Sequence, residues 1–494
     1  MRLPRHPFIY EINAWVWLSE LSTNGKPLRF DEVEQSVWDK LTELGMDAVW
    51  FMGVWERSPR GREIALADAG LRTDFSHILP GFEETDVVGS PYCVRDYRVD
   101  PRLGGDEALA QARAKLAERG VGLILDFVPN HTAVDHAWTT DHPDVYIRGT
   151  DADLARDPSG FYHAGEMVIA HGRDPNYPAW TDVAQLNAFS PELRALASEV
   201  MARLATMCDG VRCDMAMLLL NDVFERTWGQ RAGARPPEEY WQEVLPRAKA
   251  ANPDFLCIAE SYWNMEYTLQ TLGFDFCYDK RLYERLQDVA IHGPEGKVRE
   301  HLAGDPGYEE KLLRFVENHD EPRAVTVFPD KALLRAAVVL TLAAPGARLV
   351  HDGQLEGRKV KLPVQLGRRP SEAVDDDLLG FMKRLLAEHH CPAFRNGTWR
   401  LCPTSGWPDN QSHHNLVAFA WQQGQERRLA VVNLSPSGSQ GFVHTGWDDV
   451  AGHCRLKDGV QDQSFECDAS DLASSLYVGL AGFGFHFLRV EITG

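Results

Sequence analysis

The stretch GVRCDMA, Gly210 to Ala216, sets an arginine two positions ahead of an aspartate at the end of a short apolar run. If that run is a strand, alternation points Arg212 and Asp214 to the same side. An arginine beside an aspartate favours the ionised carboxylate, the form a carboxylate nucleophile needs. Three further stretches put polar groups directly after an apolar run. DFVPNH contributes Asp126, Asn130 and His131; CIAE ends in Glu260; FVENHD contributes Glu317, Asn318, His319 and Asp320. Among 72 acidic residues a single such carboxylate is an ordinary solvated charge, but four stretches placed alike are hard to leave to chance. Three convergent carboxylates fit glycoside cleavage through an oxocarbenium-like state, in which one attacks, one donates a proton and one stabilises positive charge; an acid and a nucleophile about 5–5.5 Å apart give retention. Asp214 is the candidate nucleophile. Glu260, desolvated and near another negative charge, is the candidate acid. Asp320, beside His319, is left as the stabilising group. Asp126 reads as a structural partner at its strand end, and His351 and Asp352 as rim residues.

Bringing these groups together requires a scaffold whose strands end on one face. Short apolar strands alternate with amphipathic helices to about residue 390: strands at Phe8–Val16, Ala48–Met52, Val121–Val128, Gly210–Cys213, Phe255–Ala259, Phe274–Cys277, Leu313–Val316 and Arg348–His351. Helices are expected at Asp31–Leu44, Asp106–Arg119, Ser190–Cys208, Pro237–Asn252, Asp279–Val289 and Lys331–Leu342. A Gly-rich, charged loop follows the second strand. About eight strand–helix units predict a closed (β/α)8 barrel, whose reactive groups collect at the C-terminal ends of the strands. The competing open sheet lacks a GxGxxG after its first strand. Between Pro129 and Phe189 the period lapses, as for an inserted subdomain. After Pro392, short runs at Leu416–Trp421, Arg428–Leu434, Gly441–Val443 and Phe483–Val490 predict an antiparallel β-sandwich. The expected organisation is a catalytic barrel over 1–128 and 190–390, an inserted subdomain over 129–189 and a C-terminal sandwich over 391–494.

Composition narrows the classes. A formal charge of −21 argues against a nucleic-acid binder or a basic membrane-surface protein. Fourteen tryptophans and thirteen tyrosines suit a sugar as partner. Nine scattered cysteines show no zinc spacing, and Cys213 and Cys257 read as small buried hydrophobes. With no apolar run long enough to span a membrane and no leader-like N-terminus, the chain is expected to be cytoplasmic.

These stretches, in this order, resemble the conserved regions of the α-amylase family, the retaining α-glycosidases on (β/α)8 barrels. DFVPNH, GVRCDMA, IAES and FVENHD are similar to four of its regions, WTDVAQLN to a fifth, and SPYCVRDY to the segment whose tyrosine lines the subsite of the attacked sugar. The resemblance implies Asp214 as nucleophile, Glu260 as acid/base and Asp320 as transition-state stabiliser. It implies that Arg212 positions Asp214, that His131 and His319 hydrogen-bond the sugar, and that Tyr92 stacks beneath it. Two departures matter. Many members follow the nucleophile with a Lys-His pair that serves a calcium site; here Met217 and Leu218 stand there, although Asn130 keeps the position that often binds calcium. No cofactor is therefore expected, calcium being the one candidate the family offers. Cys93 follows Tyr92 where exo-acting α-glucosidases carry an aspartate, which leaves endo or exo action open. The leading expectation is hydrolysis of α-1,4-glucan or malto-oligosaccharides. Transfer of a glucosyl or maltosyl unit to a sugar acceptor is the alternative, and a non-catalytic carbohydrate-binding protein the reading from another class. A metal-dependent enzyme would need a histidine cluster at the strand ends, and none is present.

Overall fold

Eight short parallel strands, each buried on both faces, form the centre of the chain: β1 (Phe8–Asn13), β2 (Ala48–Met52), β3 (Gly122–Phe127), β4 (Gly210–Cys213), β5 (Leu256–Ala259), β6 (Phe276–Tyr278), β7 (Leu312–Arg314) and β8 (Ala347–His351). They pair in sequence order and close, β8 against β1. The computed structural model describes residues 1–22, 26–292 and 297–492. Continuous apolar runs form these strands because the pleat must satisfy two apolar surroundings at once. Ile9, Trp50, Ile124, Ile258, Leu313 and Leu349 fill the barrel, while Phe8, Tyr10, Val49, Phe51, Leu123 and Val211 pack outward under the helices.

Several boundaries differ from the sequence reading. β1 stops at Asn13, not Val16, because the Asn13 side chain accepts the Val16 N–H and opens the helix Ala14–Glu20. The helix expected over 31–44 is a 3-10 turn, Phe30–Glu32, followed by a helix at Gln35–Glu43. The presumed loop after β2 holds two helices, Pro59–Ala67 and Ala69–Ile78, capped by Ser58 and Asp68. β6 lies two residues beyond the expected start, and β7 begins one residue earlier and ends sooner.

Between β3 and the helix Pro191–Met207, a four-stranded antiparallel sheet is inserted, built from His131–Ala133, Trp180–Gln185, Met167–Gly172 and Phe161–Ala164 in that spatial order. Beyond the barrel, a six-stranded and a three-stranded antiparallel sheet form the C-terminal sandwich. Trp421 of this region donates its indole N–H to the Ala343 carbonyl at 2.8 Å, tying the sandwich to the barrel. All nine cysteines are unpaired thiols, and Cys213 and Cys257 are wholly buried. Among the described residues, no helix is long and apolar enough to cross a membrane.

Candidate active site

At the C-terminal end of β4 the backbone turns sharply. Met215 adopts a left-handed conformation (φ 45°, ψ 43°), a sparse region for a side chain of this size, and such strain is held where surrounding contacts over-determine it. Here they do: the Met215 N–H donates to Glu260 Oε2 at 2.6 Å, the Ala216 N–H to the Glu260 carbonyl at 3.1 Å, and the Glu260 N–H to the Cys213 carbonyl at 3.0 Å. The ends of β4 and β5 are thereby laced together, and their two carboxylates share one place.

That place is organised by Arg212, 1% exposed on β4. Its Nη1 donates to Asp214 Oδ1 at 2.5 Å, as the alternation predicts, and its Nη2 lies 2.7 Å from Glu260 Oε2. Asp320 Oδ2 is 3.7 Å from Nη2 and Asp126 Oδ1 3.9 Å from Nη1, so four carboxylates surround one guanidinium. Trp50, Tyr92 and Tyr278 face its plane at 5.5, 5.1 and 5.7 Å, which keeps water away and strengthens each charge contact.

His319 forms the opposite wall. Its Nδ1 lies 2.5 Å from Glu11 Oε1, and its Nε2 3.0 Å from Asp320 Oδ2 and 2.6 Å from the Tyr92 hydroxyl. Tyr92 stacks on the His319 ring, centroids 5.4 Å apart. His131 is buried against Trp180, centroids 5.3 Å apart, and feels the charge of Asp214. The structure therefore gathers all seven residues picked from the sequence: Tyr92, His131, Arg212, Asp214, Glu260, His319 and Asp320. Glu317 is drawn away from this group by Arg323, His351 and the Ala324 N–H, and holds the loop that carries His319. Asp352 likewise pairs with Arg369 and Tyr10.

The environments push the protonation states apart. Burial, helped by repulsion from Asp214 and Asp320 and opposed by Arg212, raises Glu260 to about 7. Asp320 goes the other way: burial would raise it, but His319 and Arg212 outweigh that and hold it well below the usual carboxylate range. Burial likewise disfavours the His319 cation, yet Asp320 and Glu11 lift it to about 10. Asp126 is raised by burial to about 6 despite Arg212, and its Oδ2 accepts the Gly53 N–H at 3.2 Å, as befits a structural member of the barrel floor.

Residues 36–362 match the family model of the α-amylase catalytic domain. The chain belongs to the α-amylase family. It is 24% identical to an α-amylase of Haloarcula japonica over 96% of its own length and 59% of that protein's, and 23% identical to an intracellular maltogenic amylase of Bacillus subtilis over 73% and 64%. The chain thus spans about three-fifths of the length of these curated relatives. A maltogenic α-amylase of Thermotoga neapolitana superposes with a TM-score of 0.69 at 18% identity, covering 99% of both chains, a likeness of fold.

The calcium site that many α-amylases carry does not fit the residues present. Asn130 stands where a ligand would be needed, but Gln185, wholly buried, fills its surroundings. The Gln185 Nε2 donates to the Asn130 carbonyl at 2.9 Å, to Asn130 Oδ1 at 3.0 Å and to the Leu186 carbonyl at 3.0 Å. Three oxygens converge on an amide nitrogen, and Met217 and Leu218 are buried in the apolar core. Among the described residues, no group of three His, Cys, Asp or Glu side chains is placed to hold a metal ion.

Some members of the site escaped the sequence reading. Glu11 sits in FIYEIN, where a lone charge in an apolar strand was the available signal. Tyr262, two residues after Glu260, donates its hydroxyl to Glu260 Oε1 at 2.8 Å. Lys361, from the loop after β8, donates to the Asp320 carbonyl.

Proposed function

We propose that this chain is a retaining glycoside hydrolase acting on the α-1,4-glucosidic bonds of glucans or malto-oligosaccharides. One observation carries the reading: a single buried guanidinium holds Asp214 and Glu260 side by side, while burial, with the charges of Asp214 and Asp320, raises Glu260 to about 7. Arg212 occupies Asp214 Oδ1 and leaves Oδ2 for the anomeric carbon. Glu260 Oε2 accepts from both Arg212 and Met215 whereas Oε1 meets only the neutral Tyr262 hydroxyl, so the transferable proton belongs on Oε1. As Asp214 attacks, Glu260 protonates the glycosidic oxygen, the C1–O bond breaks and a glycosyl–Asp214 ester forms. Water then attacks C1 and yields a proton to Glu260, the C1–Asp214 ester bond breaks to return the carboxylate, and a sugar of retained configuration is released. Asp320, held anionic by His319, faces the positive charge that develops at C1, and Tyr92 and His131 bound the same ring.

The names of the relatives point to α-glucan as substrate, and the intracellular maltogenic amylase among them supports a cytoplasmic location, as do nine unpaired thiols.

Asp214→Asn and Glu260→Gln are each expected to lower kcat on maltotetraose by at least about a hundredfold, with circular dichroism and melting temperature retained. Proton NMR of the first product should show the α-anomer. Turnover near wild type in either variant, or a β-anomer formed first, sinks the proposal; longer oligosaccharides at early times would replace hydrolysis by transglycosylation.

A further inference from the structure

Glu11 is a wholly buried carboxylate pointing into the barrel from β1, among positions otherwise filled by residues such as Ile9 and Trp50. Its Oε1 lies 2.5 Å from His319 Nδ1 and 3.3 Å from the His319 main-chain nitrogen. Its Oε2 has no hydrogen-bond partner among the described residues. A buried carboxylate with one bare oxygen is a costly feature, so a purely apolar strand would be the more stable choice at this position. Nothing in the closure of the barrel requires it, since β1 pairs with β2 and β8 through its main chain.

The groups around His319 explain the charge. From β1 comes Glu11; from its own loop, Asp320; from β4, Arg212; from β3, Asp126; from the loop after β8, Lys361 at the Asp320 carbonyl; and the Tyr92 hydroxyl faces Nε2. The Trp50 ring meets the imidazole edge at 5.5 Å. Arg212 repels a cation on this ring, and burial disfavours one. Asp320 attracts it, but Asp320 is also the group that must be free to face a developing positive charge. A second anion behind the ring removes that conflict.

We propose that Glu11 is a positioning residue of the active site, holding the His319 ring by Nδ1 and keeping a proton on Nε2, so that His319 faces the sugar as a cationic hydrogen-bond donor. An N–H at Nε2 serves Asp320 when the site is empty and a sugar hydroxyl when it is filled. Glu11 touches no substrate and acts only through His319. The inference rests on the glycosidase reading for the purpose of the pocket, but the hold on His319 is measurable without turnover.

The test is Glu11→Gln, which keeps shape and hydrogen bonding and removes the charge. Nitrogen-15 NMR of the imidazoles, with His319 assigned through His319→Gln, should show both wild-type ring nitrogens protonated at pH 8. In E11Q the His319 titration should fall by about one pH unit or more. The ratio of variant to wild-type kcat/KM should be constant at low pH and break downward at the pH where NMR finds His319 deprotonating in the variant. A His319 titration unmoved by E11Q, or a ratio flat across pH, overturns the proposal and leaves Glu11 a structural residue. Retained turnover in Asp214→Asn would instead remove the glycosidase reading, with the NMR result standing.

Discussion

At the scale of single residues, the site works by separating two carboxylates that share an arginine. Glu260 and Asp320 both lie near Arg212, yet one is raised to about 7 and the other lowered, because Glu260 has no cationic partner besides Arg212 whereas Asp320 also has His319. In its proposed role as acid, Glu260 must begin protonated, so kcat/KM on maltotetraose should decline as pH climbs through about 7. With a glycosyl fluoride, whose departure needs little proton assistance, that alkaline limb should vanish from the first step; a limb of equal size on both substrates would assign it to another group. The same shift bears on stability. A carboxyl whose folded pKa exceeds its unfolded value of 4.5 binds its proton more tightly when folded, so wild type is destabilised as pH rises from 4.5 towards 7. Glu260→Gln escapes this, and its melting temperature relative to wild type should be higher at about pH 8 than at about pH 4.5.

At the scale of elements, the turn following β3 is held by a donor side chain. Gln185, at the end of the strand Trp180–Gln185, joins the inserted sheet to Asn130 through the Asn130 carbonyl and Oδ1, and the adjoining Leu186 carbonyl faces the same nitrogen. Gln185→Ala would leave Asn130 Oδ1 and the Leu186 carbonyl without this donor in a dry place, the Asn130 carbonyl keeping the Leu186 N–H at 3.1 Å, a loss of roughly 2–4 kcal/mol readable by urea unfolding. Chelator, by contrast, should leave the wild-type melting temperature unchanged; a fall of several degrees would restore a cation to this turn. The half-present calcium pattern was visible in Met217 and Leu218, but the part played by Gln185 was not, because a buried glutamine looks like any other until its partners are known. The same distinction runs through the fold. Barrel strands such as β3 and β5 are legible as unbroken apolar runs, and the residues after them form the candidate site. The strands of the inserted sheet are only three to six residues long and lack alternation, so they read as loop. The helices Pro59–Ala67 and Ala69–Ile78 were missed because charged residues interrupt their apolar faces. Glu11 went unread since its partner lies 308 positions away.

At the scale of the whole molecule, the barrel and the C-terminal sandwich share apolar surface around the buried side chain of Arg348. Arg348, on β8, lies between Phe8 and Trp421, 5.0 and 5.1 Å from their centroids, and donates to the carbonyls of His6 and Phe394. Trp421 is wholly buried, meets His6 and Phe394 at 4.9 and 5.4 Å, and reaches across to Ala343 with its indole N–H. β8 ends in His351, which contacts the Glu317 that steadies the His319 loop, so the sandwich braces the strand next to the site without touching the chemistry. Two units joined in this way should unfold together, giving one calorimetric transition rather than two. Trp421→Ala removes a large buried ring and uncovers Arg348, at a cost of about 3–5 kcal/mol. Its melting temperature should fall by several degrees, while kcat measured well below that temperature stays near wild type. A second, separate transition in the wild-type protein would show that the sandwich folds on its own account; a fall in kcat at low temperature with an unchanged melt would show that β8 transmits the contact to His319 after all.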